Sequence, residues 1–425
     1  MAGRPDALGD MAAWLETRLA DLGAAVERLS VPGAPDALLA TLGSGERSAL
    51  VYDHYDVQPV DPLALWASDP FLPEIRDGIF YARGAADNKG DLVGRLAGLD
   101  AYLAVHGRLP VVLKFLVEGE EETGSKSFEN LVARFGDKLA ADGCIWEGAG
   151  IDHSGSPELV FGAKGLAYVE LEHRGLNTDQ HSALAVVAPS PVWHLVEALS
   201  TLRAQDGRVL IDGFYDDVVP MSQADDELLA RIPFDEEAEK KRLGVREFVG
   251  GSSGIDLLRR LYFEPTCNIA GVIAGFTTPG TSKTVLPKEA MAKLDMRLVP
   301  DQDPHDIVAK LRRHLDARGY GDISITGMSM EHPVRSSSEG LVARASVAAA
   351  AEVWSDSPKL APMMIGTGPM FPVAHTLGIP TVSPAGVCRP DSNIHAPNEN
   401  VRVDDFLRIA EYTAAWVHKL ATIDG

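Results

Sequence analysis

Cysteine, positive charge and long apolar runs are all scarce in this sequence. The three cysteines, Cys144, Cys267 and Cys388, are an odd number with no paired spacing. That argues against a disulfide framework or a Cys-based zinc site and predicts a reducing, cytoplasmic setting. Lysine and arginine total 39 against 61 aspartates and glutamates, a formal charge of −22. Phosphate recognition needs clustered basic side chains, so nucleic acid and anionic membrane surfaces are poor partners. No apolar stretch reaches the ~18–20 residues of a membrane-spanning helix. The first sixteen residues carry Asp6, Asp10 and Glu16 where a signal peptide needs an unbroken apolar core. They read instead as an amphipathic helix. No His-Glu-x-x-His string is present, which removes the helix-borne mononuclear zinc site.

What is present is enough for two domains: 425 residues, 45% of them hydrophobic. Apolar positions at helical spacing run from Asp10 to Leu29. Short β-branched and aromatic runs at Ser48–Tyr52, Val111–Val117 and Gly143–Trp146 read as buried strands. Helices at Leu92–Val105 and Ser127–Phe135 alternate with them, the pattern of an α/β domain with a mainly parallel sheet and covering helices. From about 166 to 335 the texture changes to strands (Leu166–Glu172, Val272–Phe276, Ala290–Leu298, Asp322–Thr326) with two helices, Pro191–Arg203 and His305–Gly319. That predicts a smaller α+β domain, inserted between 1–165 and 336–425 of the first, with an irregular acidic stretch at Asp216–Gly251.

The polar residues fall where such a sheet would put a site. His54, Asp87, Glu121, Glu122 and Glu147 lie at strand ends or in the loops beyond them, and the carboxyl edge of an open α/β sheet is where ligands bind. Glu120, Glu121 and Glu122 are consecutive, and like charges ~4 Å apart repel by about 1 kcal/mol in water and about 4 kcal/mol at an effective dielectric of 20. Either these side chains diverge into solvent or a cation gathers some of them. His54 and Asp56 share one side of an extended segment, so Asp56 can orient the imidazole. Each signal alone has a plainer reading: a surface ion pair, a helix-capping turn at Asp87, a loop histidine at His395. Together they offer one histidine and one carboxylate per metal with a third carboxylate shared, a set suited to zinc, manganese or cobalt. Two other matches fail. Gly119-x4-Gly124 is out of register for a phosphate loop and acidic, and Gly250-Gly-Ser252-Ser-Gly254 lacks the preceding buried strand of a nucleophile elbow.

In order, His-Tyr-Asp from His54, Arg-Gly-Ala-Ala-Asp-Asn-Lys-Gly from Arg83, Glu-Gly-Glu-Glu-Glu-Thr-Gly-Ser from Glu118, Trp-Glu-Gly from Trp146, Asp-Gln-His-Ser from Asp179 and Asn-Ile-His-Ala-Pro-Asn-Glu from Asn393 span nearly the whole chain. This set resembles the co-catalytic dinuclear metallopeptidases that include carboxypeptidase G, aminoacylase and carnosinase-like dipeptidases. The resemblance implies a catalytic domain interrupted by a lid that also forms a homodimer, and two divalent ions per subunit, zinc foremost. It implies that Asp87 bridges the metals, with a cis peptide to Asn88. His54 and Glu147 complete one set, Glu122 and His395 the other. Glu121 becomes the general base and Asp56 the orienter, while His181 reaches the neighbouring subunit's site. Arg297 and Thr284 hold a substrate carboxylate, Gly366, Thr367 and Gly368 line that pocket, and His332 matches a further lid histidine. Glu147 replaces a more usual Asp, and Asp-Gln-His-Ser-Ala replaces the commoner Asp-Leu-His-Ser-Gly. The expected activity is hydrolysis of dipeptides or short peptides with a free C-terminal carboxylate. The alternatives are an N-acyl-amino-acid deacylase of the succinyl-diaminopimelate type and, in a different class, a non-catalytic binding protein on the same scaffold.

Overall fold

A computed structural model describes residues 7–354 and 357–424; the first six residues of the N-terminal amphipathic stretch lie outside them. The chain divides into two compact units: Met1–Gly162 with Arg335–Met363 and Pro369–Gly425, and Ala163–Val334 with Met364–Gly368.

The first unit is built on a six-stranded sheet in the order Ala25–Leu29, Ala37–Gly43, Val112–Glu118, Ser48–His54, Cys144–Trp146, Thr381–Val382. The last four run parallel, and the first two are joined antiparallel at one edge. Register aligns their carboxyl ends: His54 pairs with Glu118 and Tyr52 with Trp146. The loops beyond those ends therefore leave the sheet at one edge, which is how separate acids come to one place. Alternation along Ser48–His54 sends Ala49 and Val51 into a core shared with the helices Ala7–Asp21, Gly90–His106, Leu341–Val353 and Val403–Thr422. Tyr52 faces the other way and stacks on Trp146 at 3.5 Å, and Phe128 of the helix Phe128–Leu139 meets both rings edge-on. Helices thus cover both faces of a mainly parallel sheet, the α/β class.

The expected N-terminal helix is shorter than its apolar spacing predicts. It stops at Asp21, and Ala25–Leu29 is a strand. Gly23, at φ 86°, turns the chain out of the helix, and Ala25–Leu29 then pairs along the edge strand Ala37–Gly43.

The second unit is a four-stranded antiparallel sheet, Asn268–Ala274, Glu289–Leu298, Gly165–Arg174, Ser324–Glu331, with helices Pro191–Ser200 and Pro304–Ala317. Strict alternation along Glu289–Leu298 buries Ala290, Ala292, Leu294, Met296 and Leu298 against Leu195, Ala198, Ile307 and Leu311 of those helices. The acidic stretch expected to be irregular holds two short helices, Gln223–Leu229 and Glu236–Leu243. Caps rather than an apolar stripe hold them: a reciprocal Ser222–Asp225 box, and Asp235 accepting from the Ala238 N–H. Among the described residues no helix is long and apolar enough to cross a membrane.

Two helix glycines make this packing testable. A Cβ at Gly98 would lie 2.4 Å from the Ala410 carbonyl oxygen and 2.7 Å from Thr413 Cβ, whereas one at Gly9 would meet nothing within 4 Å. Gly98→Ala is expected to lower stability by about 1–3 kcal/mol through overpacking. Gly9→Ala should raise it by up to ~1 kcal/mol through helix propensity. Urea denaturation of both variants checks this, and shifts of the same sign would refute the close approach.

Candidate metal centre

His54 ends its strand with its side chain fully buried, and the turn after it supplies Asp56. The glycine-rich turn before the helix Gly90–His106 supplies Asp87, whose peptide to Asn88 is cis. The turn Glu121–Thr123, after the strand Val112–Glu118, supplies Glu121 and Glu122. Glu147 comes directly after Cys144–Trp146, and His395 lies in the loop before Asn400–Arg402. The Asp87 carboxylate sits between two imidazoles: Oδ1 is 3.1 Å from His54 Nε2 and Oδ2 is 3.0 Å from His395 Nε2. His395 Nε2 is also 3.0 Å from Glu122 Oε2. His54, Asp87 and Glu122 each offer a ligand atom within 4.8 Å of the others. Asp56 Oδ1 stands 3.3 Å from His54 Nδ1. Glu121 and Glu147 complete the group: both feel the charges of His54 and Asp87, and Glu147 feels that of Glu121 as well.

Electrostatics explain what such crowding needs. Burial pushes the Glu121 carboxyl up to about 7, with Asp87, Glu122 and Asp56 adding to the rise against His54. Glu147 is pushed well above the carboxylate range by burial and then by Glu121. Burial would also raise Asp87, yet hydrogen bonds from His395 and His54 hold it below its ordinary value. Hydrogen bonds to Asp87 and Glu122 lift His395 to about 10. Buried carboxylates thus borrow positive charge from two histidines. Oε1 of Glu147 is buried with no hydrogen-bond partner among the described residues. Oxygen and imidazole donors aimed inward, with orphaned lone pairs, fit divalent cations.

Side chains behind these residues set their positions, and the sequence alone does not single them out. Arg95 donates both to Asp53 Oδ1 and to the Glu147 carbonyl. Asp53 in turn accepts from the Asn88 amide at 3.2 Å. Glu399 accepts from the N–H groups of Gly84, Ala86 and Asp87 and from Arg83, all between 2.6 and 3.1 Å. Asp56 Oδ2 accepts from the Glu122 N–H at 3.0 Å, so the carboxylate beside His54 also fixes the opposite loop. One signal was available: Arg95 is a cation on the face of its helix that buries Leu92, Leu96 and Leu99.

The remaining candidates lie in the second unit. Arg297, on Glu289–Leu298, donates to Thr367 Oγ1 at 2.7 Å and to Asp295 at 3.1 Å. Gly366 accepts from the Lys164 N–H, and Gly368 closes the same five-residue segment. His181 and Thr284 belong to a separate short ladder in which Gln180–His181 pairs with Val285–Leu286, and His181 Nδ1 accepts from the Ala183 N–H. The His332 ring is 6.4 Å from that of His305.

Comparison with known proteins gives this arrangement a family. The chain is 32% identical over 295 residues to the Beta-Ala-His dipeptidase of Homo sapiens, covering 66% of this chain and 56% of that protein. It is 29% identical over 317 residues to a Cys-Gly metallodipeptidase of Saccharomyces cerevisiae, covering 71% and 64%. The matches thus span under two thirds of these relatives' length. Among solved structures, an M20 family metallo-carboxypeptidase from Sulfolobus solfataricus superposes with a TM-score of 0.90 at 38% identity, over 97% of this chain and 94% of that one. With residues 50–419 matching its family model, the chain belongs to Peptidase family M20/M25/M40.

Proposed function

We propose that this protein is a metal-dependent hydrolase of the amide bond in dipeptides or short peptides with a free C-terminal carboxylate. The observation that carries the reading is the Asp87 carboxylate between the imidazoles of His54 and His395, with the near-neutral Glu121 carboxyl beside it. The activities for which the relatives are named, dipeptidases and a metallo-carboxypeptidase, support it. Asp87 would bridge two divalent ions, with His54 and Glu147 on one and Glu122 and His395 on the other. Zinc suits this donor set, with manganese or cobalt as alternatives. Such ions supply Lewis acidity, polarising the carbonyl and lowering the pKa of a water. Glu121 takes the attacking water's proton onto its carboxylate and delivers it to the departing amine nitrogen, its burial favouring uptake of the proton. Asp56 holds the His54 ring. Arg297, steadied by Thr367, and Thr284 would take the substrate's terminal carboxylate, the guanidinium through a two-pronged ion pair, with Gly366, Thr367 and Gly368 lining that pocket and His332 as a further lid histidine.

His181 is assigned to the neighbouring subunit's scissile carbonyl, so the reading includes a homodimer formed through the inserted unit. Supporting it, the edge strand Asn268–Ala274 leaves Ile269, Val272 and Ile273 48%, 54% and 58% exposed. Three unpaired cysteines suit a reducing cytoplasm.

Chelator-stripped protein should lose dipeptide hydrolysis and regain it with zinc or manganese. Because His395 holds its proton up to about 10, a cation must displace it, so zinc affinity should rise from about pH 6 to about pH 8. Glu121→Gln should cut kcat by about 10²–10⁴-fold with metal content unchanged. Full activity without metal, or in Glu121→Gln, would overturn the mechanism. Arg297→Met should raise KM for free dipeptides by roughly 10–100-fold and leave C-terminally amidated peptides unaffected. Running the panel with N-acyl amino acids separates the peptidase from a deacylase, whose acyl substrates would turn over faster. Val272→Lys should sediment as a monomer and lose activity together with the dimer; an active monomer would remove His181 from the site.

A further inference from the structure

We propose that the inserted unit carries its own divalent-metal site, of the zinc class, formed by His173, His194 and Asp322. These residues come from three elements of that unit: the strand Gly165–Arg174, the helix Pro191–Ser200 and the turn leading into the strand Ser324–Glu331. Each offers one ligand atom, and the three atoms lie within 4.8 Å of one another. The Asp322 carboxylate spans both rings, with Oδ1 2.7 Å from His194 Nε2 and Oδ2 3.6 Å from His173 Nδ1. The imidazole centroids are 4.3 Å apart, and Tyr320 meets His194 edge-on at 5.1 Å.

The observation that points to a ligand is His173 itself. It occupies the strand face that carries Val169 and Leu171 into the core, and it is 7% exposed. Its Nδ1, on the Asp322 side, is buried with no hydrogen-bond partner among the described residues. A buried ring nitrogen without a partner is costly, and no packing requirement calls for histidine over leucine on an apolar strand face. The Asp322 carboxylate lies within 3.6 Å of both histidine rings and pairs with no lysine or arginine among the described residues. Adjacent tetrahedral ligands around zinc stand about 3.3 Å apart, given bond lengths near 2.0–2.1 Å. The spacings of 2.7 and 3.6 Å bracket that value, so small side-chain movements would admit an ion.

Two imidazoles and one carboxylate select zinc, cobalt or nickel over calcium and magnesium, which require more oxygen donors. Asp322 and His194 are 55% and 27% exposed at their side chains, which leaves an open side for a water as fourth ligand. The ion would tie strand, helix and turn together. Its role is to fix the inserted unit, whatever reaction the other unit performs.

Zinc content decides the matter without an activity assay. Full-length protein is loaded with zinc alone, dialysed against metal-free buffer, and compared with Asp322→Asn and His194→Gln treated alike. Each variant is expected to hold about one zinc ion fewer per chain than the unaltered protein. Glu122→Gln, altered in the first unit, should retain this ion, so failure here and failure of the proposed hydrolase are read separately. Should the variants fold poorly, crystals of the unaltered protein grown with stoichiometric zinc give a direct answer: an anomalous peak among the three side chains. Equal zinc content in folded variants, or no peak, overturns the proposal.

Discussion

Mutual repulsion among buried carboxylates is the constraint around which this protein is arranged. Asp56, Asp87, Glu121, Glu122 and Glu147 meet at one sheet edge, where solvent screens poorly and removing a charge from water is expensive. Burial raises the pKa of Glu121 and Glu147 and their carboxylate neighbours add to the rise, while Asp87 and Glu122 raise that of His395, so the whole group favours added positive charge. Protonated histidines and neutral carboxyls relieve the repulsion by taking up protons. Divalent cations relieve it by replacing them, and the donor geometry suits the second solution. A chain that needed only a stable fold would have placed leucine at several of these positions.

Because the candidate ligand residues repel one another, the loops that carry them must be held from behind. Glu399 gathers three N–H groups of the Asp87 turn together with Arg83, fixing that turn through the backbone and leaving the Asp87 side chain to meet His54 and His395. Arg95 links Asp53 to the Glu147 carbonyl, which couples two neighbouring strand ends through one guanidinium. Breaking a buried pair of this kind strands the partner charge, so these residues are as consequential as the candidate ligands they position.

The candidate site residues stood out because they lie at strand ends or in the loops beyond, each with its own local texture: His54 and Asp56 on an extended face, the acid triplet after an apolar run, Asp87 in a glycine-rich turn. The positioning residues were not, because their role exists only across the fold. Glu399 and Arg83 are 316 residues apart, and nothing in either neighbourhood announces the other. Helical spacing from Asp10 to Leu29 misled for a related reason: apolar positions at Val26 and Leu29 fit a helix as well as an edge strand, and only pairing with Ala37–Gly43 decides. The helix Glu236–Leu243 was hidden because it buries none of its residues, leaving no apolar period to detect.

Backbone conformation gives an independent reason to regard the edge as functional. Glu147 and His395 have φ of 42° and 60°, in the left-handed region that residues other than glycine adopt at a cost of about 1–3 kcal/mol. Asn393 and Asn398, in the same loop as His395, share that conformation at 55° and 62°, and asparagine tolerates it. Glutamate has no such tolerance and histidine only part of it, and glycine at either position would relieve the strain. The side chains are therefore kept for what they reach. His395 reaches Asp87 and Glu122. Glu147 has a buried oxygen with no hydrogen-bond partner among the described residues, and its carbonyl is gripped by Arg95. Positive φ at two candidate ligands, one from each proposed metal's set, is a cost that a site built to hold cations would accept.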